Sequence, residues 1–190
     1  FLFLNFLLTK EKIRRKFLQI RKKNYYEVSE NFFDPLIILL NKKFKNKKFN
    51  LSFYYPTNYE VNIIKLIKLV SSKKNITTLL PVTNSKKMMS FVKWSFLDTL
   101  KVNKFGILEP TETKKNFIPH VSLVPLLAYD KRKFRLGYGK GYYDKFFNKY
   151  LRLNKNIMTI GVAFSFQKYH KLPTSNFDVK LDYILTEKGI

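Results

Sequence analysis

No cysteine occurs in the sequence, so disulfides, thiolate nucleophiles and cysteine-ligated zinc are all excluded. Only two histidines are present, His120 and His170, which rules out a histidine-rich metal site. Acidic residues are scarce as well: 13 Asp and Glu stand against 37 Lys and Arg, for a net charge of +24. No apolar run reaches the roughly 20 residues that a spanning helix needs. The opening run, "FLFLNFLL", has the length of the apolar stretch of a targeting segment, about 7–15 residues. With no initiator Met before it, the start reads as trimmed or partial. The expected organisation is an apolar extension over residues 1–9 and one domain over residues 10–190. Glycine is the last scarcity: 6 in 190 residues, three of them at Gly137, Gly139 and Gly141.

What is abundant is apolar and aromatic. A 45% hydrophobic fraction with 19 Phe and 12 Tyr marks a globular chain rather than a disordered one. At 190 residues a single domain with a sizeable core is the simplest arrangement. Surplus positive charge favours anionic partners, whether nucleic acid, a membrane surface or phosphorylated small molecules. Yet 31 of the basic residues are Lys, 16 residues are Asn and only two are Ala. That drift is what AT-rich coding produces, so the charge is read mainly as compositional bias and does not name a partner.

The elements follow from periodicity. "KEKIRRKFLQIRKK", Lys10 to Lys23, reads as a basic helix with Ile13, Phe17 and Ile20 on one face. A second helix is expected from about Tyr26 to Leu40, a strand over Phe49–Tyr55, and a helix over Glu60–Val70. "ITTLLP" and "MMSFVKW" read as strands, and Val102 to Pro119 as a long loop. "VSLVPLLAYD", Val121 to Asp130, and "IMTIGVAF" are apolar runs of the kind buried on both faces of a parallel sheet. Tyr143, Phe146, Phe147, Tyr150 and Leu151 recur at helical spacing, and "DYILTE" reads as a last strand. Strands alternating with helices indicate an α/β domain around a largely parallel sheet, which binds ligands at the carboxyl ends of its strands.

The glycine loop, "RLGYGKGYYD", falls at such an end. G-x-G-x-G lets the backbone turn tightly and a ligand approach closely. Successive amides in such a turn form an anion-binding nest, and the helix that follows adds the positive end of its dipole. Arg135 and Lys140 contribute cations, and Asp144 is an isolated acid of the type that ligates Mg²⁺ through oxygen. The alternative is a tight strand-to-helix turn in which Asp144 only satisfies the helix N-terminus. The spacing is neither a Walker A loop nor a Rossmann fingerprint.

"LVPLLAYDKRKFRLGYGKGYYDKFF", Leu123 to Phe147, resembles the signature of the 5-formyltetrahydrofolate cyclo-ligase (methenyltetrahydrofolate synthetase) family. "FGILEPTE", "MTIGVAFSFQ" and "LPTSNFDVKLDYILTE" follow in the family's order and spacing, so the resemblance runs from about Lys10 to Glu187. It implies a three-layer α/β/α single domain with a mostly parallel central sheet, of the NagB/RpiA/CoA-transferase-like kind. It also implies ATP- and Mg²⁺-dependent conversion of 5-formyltetrahydrofolate to 5,10-methenyltetrahydrofolate with release of ADP and phosphate. The formyl oxygen is phosphorylated and N10 then attacks. Phosphoryl transfer rests on positioning and charge neutralisation, which agrees with the absence of a nucleophile–base constellation.

Carried over residue by residue, Lys10 and Arg14 match an ATP-contacting K-x-x-x-R. Arg135, Leu136, Gly137, Tyr138, Gly139, Lys140, Gly141, Tyr142 and Tyr143 match the nucleotide loop, with Arg135, Lys140 and Tyr143 nearest the chemistry. Gly139 to Tyr143 also border the folate, Glu60 matches the glutamate that holds it, and Phe105 and Trp94 are candidates for the pterin wall. Asp144 and Asp178 match the Mg²⁺ ligands. Taken alone, Lys10 and Arg14 would read as a solvated helix face, Asp178 as a loop acid, and Glu60 as a charge in a first helical turn. The sequence departs from the family at Asn62-Ile63, where an acid and a threonine are usual, and at Phe177, often a histidine.

The expected partners are therefore small molecules, ATP and a folate that carries a polyglutamate tail in some forms, with no nucleic acid and no membrane. A monomer is expected in the cytoplasm, an organelle being the alternative that the apolar amino-terminal run leaves open. Two other classes compete: a nucleic-acid-binding module, motivated by the +24 charge alone, and a paralogue that binds without turnover.

Overall fold

The computed structural model describes residues 8–84, 88–111, 115–153 and 156–190. The apolar extension expected over residues 1–9 lies, up to residue 7, outside the described residues. At its core is a six-stranded sheet. Its strands are β1 (Phe49–Ser52), β2 (Ile76–Thr83), β3 (Met89–Lys93), β6 (Val121–Pro125), β9 (Met158–Val162) and β10 (Tyr183–Leu185). Their spatial order is β10-β9-β6-β1-β2-β3. Five strands run parallel, and only β3 at the edge is antiparallel to its neighbour β2. The order reverses between β1 and β6, which makes the crevice above their carboxyl ends the natural ligand position in an open α/β sheet.

Side-chain alternation assigns the layers. Leu80 and Leu123 pack with helices α2 (Asp34–Phe44) and α3 (Ile64–Ser71) on one face. Their neighbours Leu79 and Val124 pack on the other with Phe146 and Phe147 of α4 (Tyr142–Arg152). Every residue of β9 is buried, as a strand covered on both faces requires. A helix at the end of the sheet, α1 (Lys10–Asn24), seals a third cluster with Ile13 and Phe17 against Leu127, Ala128 and Leu136. The expected α/β/α layering is therefore present.

Several boundaries differ from expectation. The helix expected from Tyr26 begins only at Asp34, after a 3₁₀ turn at Glu30–Phe33. Pro35 lacks an amide hydrogen and sits in the first turn of α2, so it starts that helix rather than lying inside one. The helix expected from Glu60 starts at Ile64, leaving Glu60 in the preceding loop. The loop expected over Val102–Pro119 contains a hairpin, β4 (Leu100–Val102) and β5 (Leu108–Pro110). Its turn has Gly106 at φ +73°. The single strand expected over Val121–Asp130 breaks after Pro125, where the chain leaves the sheet. It then forms a short ribbon of β7 (Ala128–Tyr129) and β8 (Arg135–Leu136).

Candidate active site

The ribbon β7–β8 delivers the glycine loop to the top of the sheet. Gly139 and Gly141 have φ of +95° and +68°, a region that strains any residue with a Cβ. A Cβ on Gly139 would also come within 3.1 Å of the Arg14 guanidinium, which would have to shift by a few tenths of an ångström. Gly141 caps α4, whose first free amides open upward from the turn. Arg14 Nε donates to Gly137 O at 2.9 Å, fastening α1 to the loop.

These residues line one cavity of about 460 Å³. Its walls come from the loop after β1, the ends of β2 (Pro81, Thr83) and β6 (Pro125), the hairpin β4–β5, and α1. All the site residues expected from the sequence converge there except Trp94. Lys10, Arg14, Glu60, Phe105, every residue from Arg135 to Asp144, and Asp178 belong to the lining. Trp94 is core instead: only 3% exposed, its Nε1 donates to Asp98 O and its ring packs on Phe96.

At one corner, Asp178 Oδ2 accepts from Lys10 Nζ at 2.5 Å and from the Ser175 amide at 2.6 Å. Burial pushes its pKa up, but the bonds from Lys10 and Ser175 outweigh that and hold it below the usual aspartate value. Asp144 Oδ1 accepts from Arg135 at 2.9 Å and from the Val179 amide at 3.0 Å. That second bond ties α4 to the residue following Asp178, bringing both carboxylates to the same corner. Asp144 therefore does more than satisfy its own helix.

Glu60 lies at a second corner and is 6% exposed. Its Oε2 accepts from the Thr57 amide at 2.8 Å, and its Oε1 accepts from the Tyr138 hydroxyl at 3.1 Å. Tyr138 in turn accepts from Nη2 of Arg21, which is wholly buried and donates through Nη1 to Leu126 O at 3.0 Å. Burial raises the pKa of Glu60 above the usual glutamate value, with Arg21 and the bonds from Thr57 and Tyr138 pulling it back. Burial also raises the phenols of Tyr138 and Tyr143, so both are protonated donors at neutral pH. The Tyr143 hydroxyl is buried, has no hydrogen-bond partner among the described residues, and belongs to a residue that lines the cavity.

Phe105 occupies the hairpin turn. Its ring meets Tyr142 edge-on at 6.0 Å, and Lys140 Nζ sits 5.6 Å above it. Sequence reasoning missed Arg21, Tyr54, Thr83, Asn103 and Glu109. A signal existed for Arg21: Lys10, Arg14 and Arg21, at i, i+4 and i+11, fall on one helical stripe. Chemically, the cavity offers cations and free amides for phosphates, two adjacent carboxylates, and buried acceptors for N–H groups.

A sequence model of the 5-formyltetrahydrofolate cyclo-ligase family matches residues 8–187. The chain is 33% identical over 143 residues to the 5-formyltetrahydrofolate cyclo-ligase of Haemophilus influenzae, covering 72% of this chain and 74% of that protein. It is 30% identical over 164 residues to the enzyme of that name from Mycoplasma pneumoniae, covering 78% of this chain and 97% of the other. Among solved structures, the Aquifex aeolicus 5,10-methenyltetrahydrofolate synthetase superimposes with a TM-score of 0.70 at 31% identity, over 95% of this chain and 91% of that one. The Mycoplasma pneumoniae 5,10-methenyltetrahydrofolate synthetase shares the fold, with a TM-score of 0.69 at 24% identity over 94% and 98% of the two chains. With the fold, the glycine loop and nearly the whole length of the sequence in agreement, the chain belongs to the 5-formyltetrahydrofolate cyclo-ligase family and is a ligase.

Proposed function

We propose that the protein closes the ring of 5-formyltetrahydrofolate to give 5,10-methenyltetrahydrofolate, consuming ATP in the presence of Mg²⁺. The observation that carries this reading is the convergence, in one cavity, of a phosphate-type glycine loop, two adjacent carboxylates and a buried glutamate. Residues 10–190 are the unit that performs it.

Lys10, Arg14, Lys140 and the free amides of α4 hold the triphosphate, and Arg135 adds charge from below. Glu60 accepts N–H groups of the pteridine, against which Phe105 forms a wall. The formyl oxygen attacks the γ-phosphorus, forming an O–P bond as the bond to the β-phosphate oxygen breaks and ADP leaves. N10 then adds to the formyl carbon and loses its proton. Phosphate departs with the former formyl oxygen, leaving the N5–CH=N10 cation. Positioning and neutralisation by fixed groups supply the rate enhancement.

Asp144 and Asp178 fit Mg²⁺. Among the described residues, one oxygen of each carboxylate accepts no hydrogen bond. No group of three or more His, Asp or Glu among the described residues forms a protein cage there. Mg²⁺ is commonly held in this way, by one or two carboxylates plus substrate phosphates and water. When bound, the ion neutralises the charge of the β- and γ-phosphates.

The test mixes purified protein, 5-formyltetrahydrofolate and MgATP and follows the near-ultraviolet absorbance of the methenyl product. ATP-dependent product is expected, with a loss of about 10²–10³-fold in Asp144→Ala, the scale on which a transition-state charge partner acts. Binding of ATP and folate without product would overturn the reading in favour of a non-catalytic paralogue.

A further inference from the structure

The proposed reaction leaves one buried carboxylate of the cavity without a role. Glu109, on β5, is 5% exposed and belongs to the lining. Its Oε2 accepts three hydrogen bonds, from the Thr83 amide at 3.2 Å, Thr83 Oγ1 at 3.1 Å and Asn103 Nδ2 at 3.0 Å. Its Oε1 accepts none among the described residues, and no Lys or Arg among them pairs with it. Oε1 is not among the buried side-chain atoms that lack a partner, so the unbonded oxygen keeps access to open space, and the residue lines the cavity.

The carboxylate is also held in one orientation. Thr83 lies at the end of β2, in the main sheet. Asn103 Oδ1 accepts from the amides of Phe105 and Ile107, so the residue that grips Glu109 also shapes the hairpin turn. Oε2 is saturated by neutral donors from two elements, which leaves Oε1 as the oxygen offered to the cavity. Such an arrangement selects an N–H donor and repels phosphates and carboxylates. Of the two substrates in the proposed reaction, only the reduced pteridine carries a dense set of neutral N–H donors.

We propose that Glu109 is a second substrate-binding carboxylate, its Oε1 accepting an N–H of the reduced pteridine while Thr83 and Asn103 act as positioning residues. This rests on the cyclo-ligase reading. It makes folate recognition two-sided, with Glu60 after β1 and Glu109 on the hairpin.

The test is Glu109→Gln in the full chain. The substitution keeps size and an oxygen for Thr83 and Asn103, and replaces the free acceptor by an amide N–H₂. The KM for 5-formyltetrahydrofolate, and its Kd measured calorimetrically without ATP, are expected to rise about 10- to 100-fold. The KM for ATP should stay within about twofold, and the melting temperature should not move. Wild-type folate affinity in Glu109→Gln, or equal rises in both KM values, overturns the inference. Should the glutamine variant fail to fold, Glu109→Asp, which keeps the charge but retracts it by one methylene, must show the same split. Wild-type protein run in parallel separates the two failures. No product from wild type defeats the cyclo-ligase reading, whereas normal wild-type turnover with an unaffected variant defeats only the role of Glu109.

Discussion

Arg21 sits on the face of α1 that packs into the protein, with no exposed surface, where the periodicity of the sequence expects Ile20. A buried guanidinium is costly unless its donors are met. Nη1 and Nη2 are met, by Leu126 O and the Tyr138 hydroxyl, while Nε has no partner among the described residues; through the Tyr138 hydroxyl the charge reaches Glu60. In Arg21→Met, which keeps the apolar stem, removal of these charged bonds should lower stability by about 1.5–3 kcal/mol in urea unfolding at neutral pH. The pH dependence gives a sharper readout. Burial already raises the pKa of Glu60, and Arg21 opposes that rise. A raised carboxyl pKa means that Glu60 favours the fold most at acidic pH, and that this contribution fades as pH climbs from the usual glutamate value to the raised one. For binding, the ionised form is the N–H acceptor, so kcat/KM for the folate should fall on the acid side at a pH above the usual glutamate range. In Arg21→Met that limb should move to still higher pH. Coincident limbs in the two proteins would show that Arg21 does not act on Glu60. At this scale the residues carried over by motif, Lys10, Arg14, Glu60, Asp144 and Asp178, were readable beforehand. Arg21 showed only in the stripe it shares with Lys10 and Arg14, which a basic helix makes easy to pass over, and Glu109 not at all, because a single acid in a short apolar run does not reveal that it points inward.

Among the elements, the hairpin β4–β5 determines how the cavity is closed. Its turn is held by Asn103, which accepts from two amides of its own loop at 2.9 and 3.1 Å and donates to Glu109 at 3.0 Å. Asn103→Ala removes all three bonds at once. Amide hydrogens of Phe105 and Ile107 should then exchange faster, and the KM for 5-formyltetrahydrofolate should rise about tenfold, the cost of roughly one good hydrogen bond. The KM for ATP should change less, since the glycine loop is held by Arg14 rather than by the hairpin. Unchanged exchange with a raised KM would mean that Asn103 meets the substrate itself. This hairpin read as loop in the sequence because strands of three residues are too short to show a period-2 pattern. Asn103 and Gly106 do stand at the first and last positions of a β-turn closed by the Gly106 amide on Asn103 O, residue types that such positions favour, and that signal was available. The start of α2 was likewise marked by Asp34-Pro35. By contrast α1 and α4 show an apolar stripe over several turns, and the buried strands β6 and β9 show continuous apolar runs, so those elements stood out.

For the whole molecule, the question is what a net charge of +24 contributes. Of the described Lys, Arg, Asp and Glu residues that line the cavity, four are basic (Lys10, Arg14, Arg135, Lys140) and four acidic (Glu60, Glu109, Asp144, Asp178). The cavity is thus balanced, and the surplus lies outside it. Inside, cations and anions are sorted by local bonds, which suits a ligand pair that is anionic in one part and rich in N–H donors in another. Outside, the field acts before contact, on diffusing polyanions such as ATP or a folate with a polyglutamate tail, and it is screened over about 10 Å at 0.1 M salt. Raising KCl from about 0.01 to 0.3 M, where the screening length shrinks from roughly 30 to below 10 Å, should therefore lower kcat/KM severalfold. It should leave kcat nearly constant, because the bound complex sits among paired charges. A polyglutamylated substrate should show a steeper decline than the monoglutamate. If kcat/KM is flat in salt, steering is absent and the lysine surplus is compositional. If the protein instead stays on DNA at low salt in a way that MgATP does not reverse, the surface serves nucleic acid and not the approach of substrate.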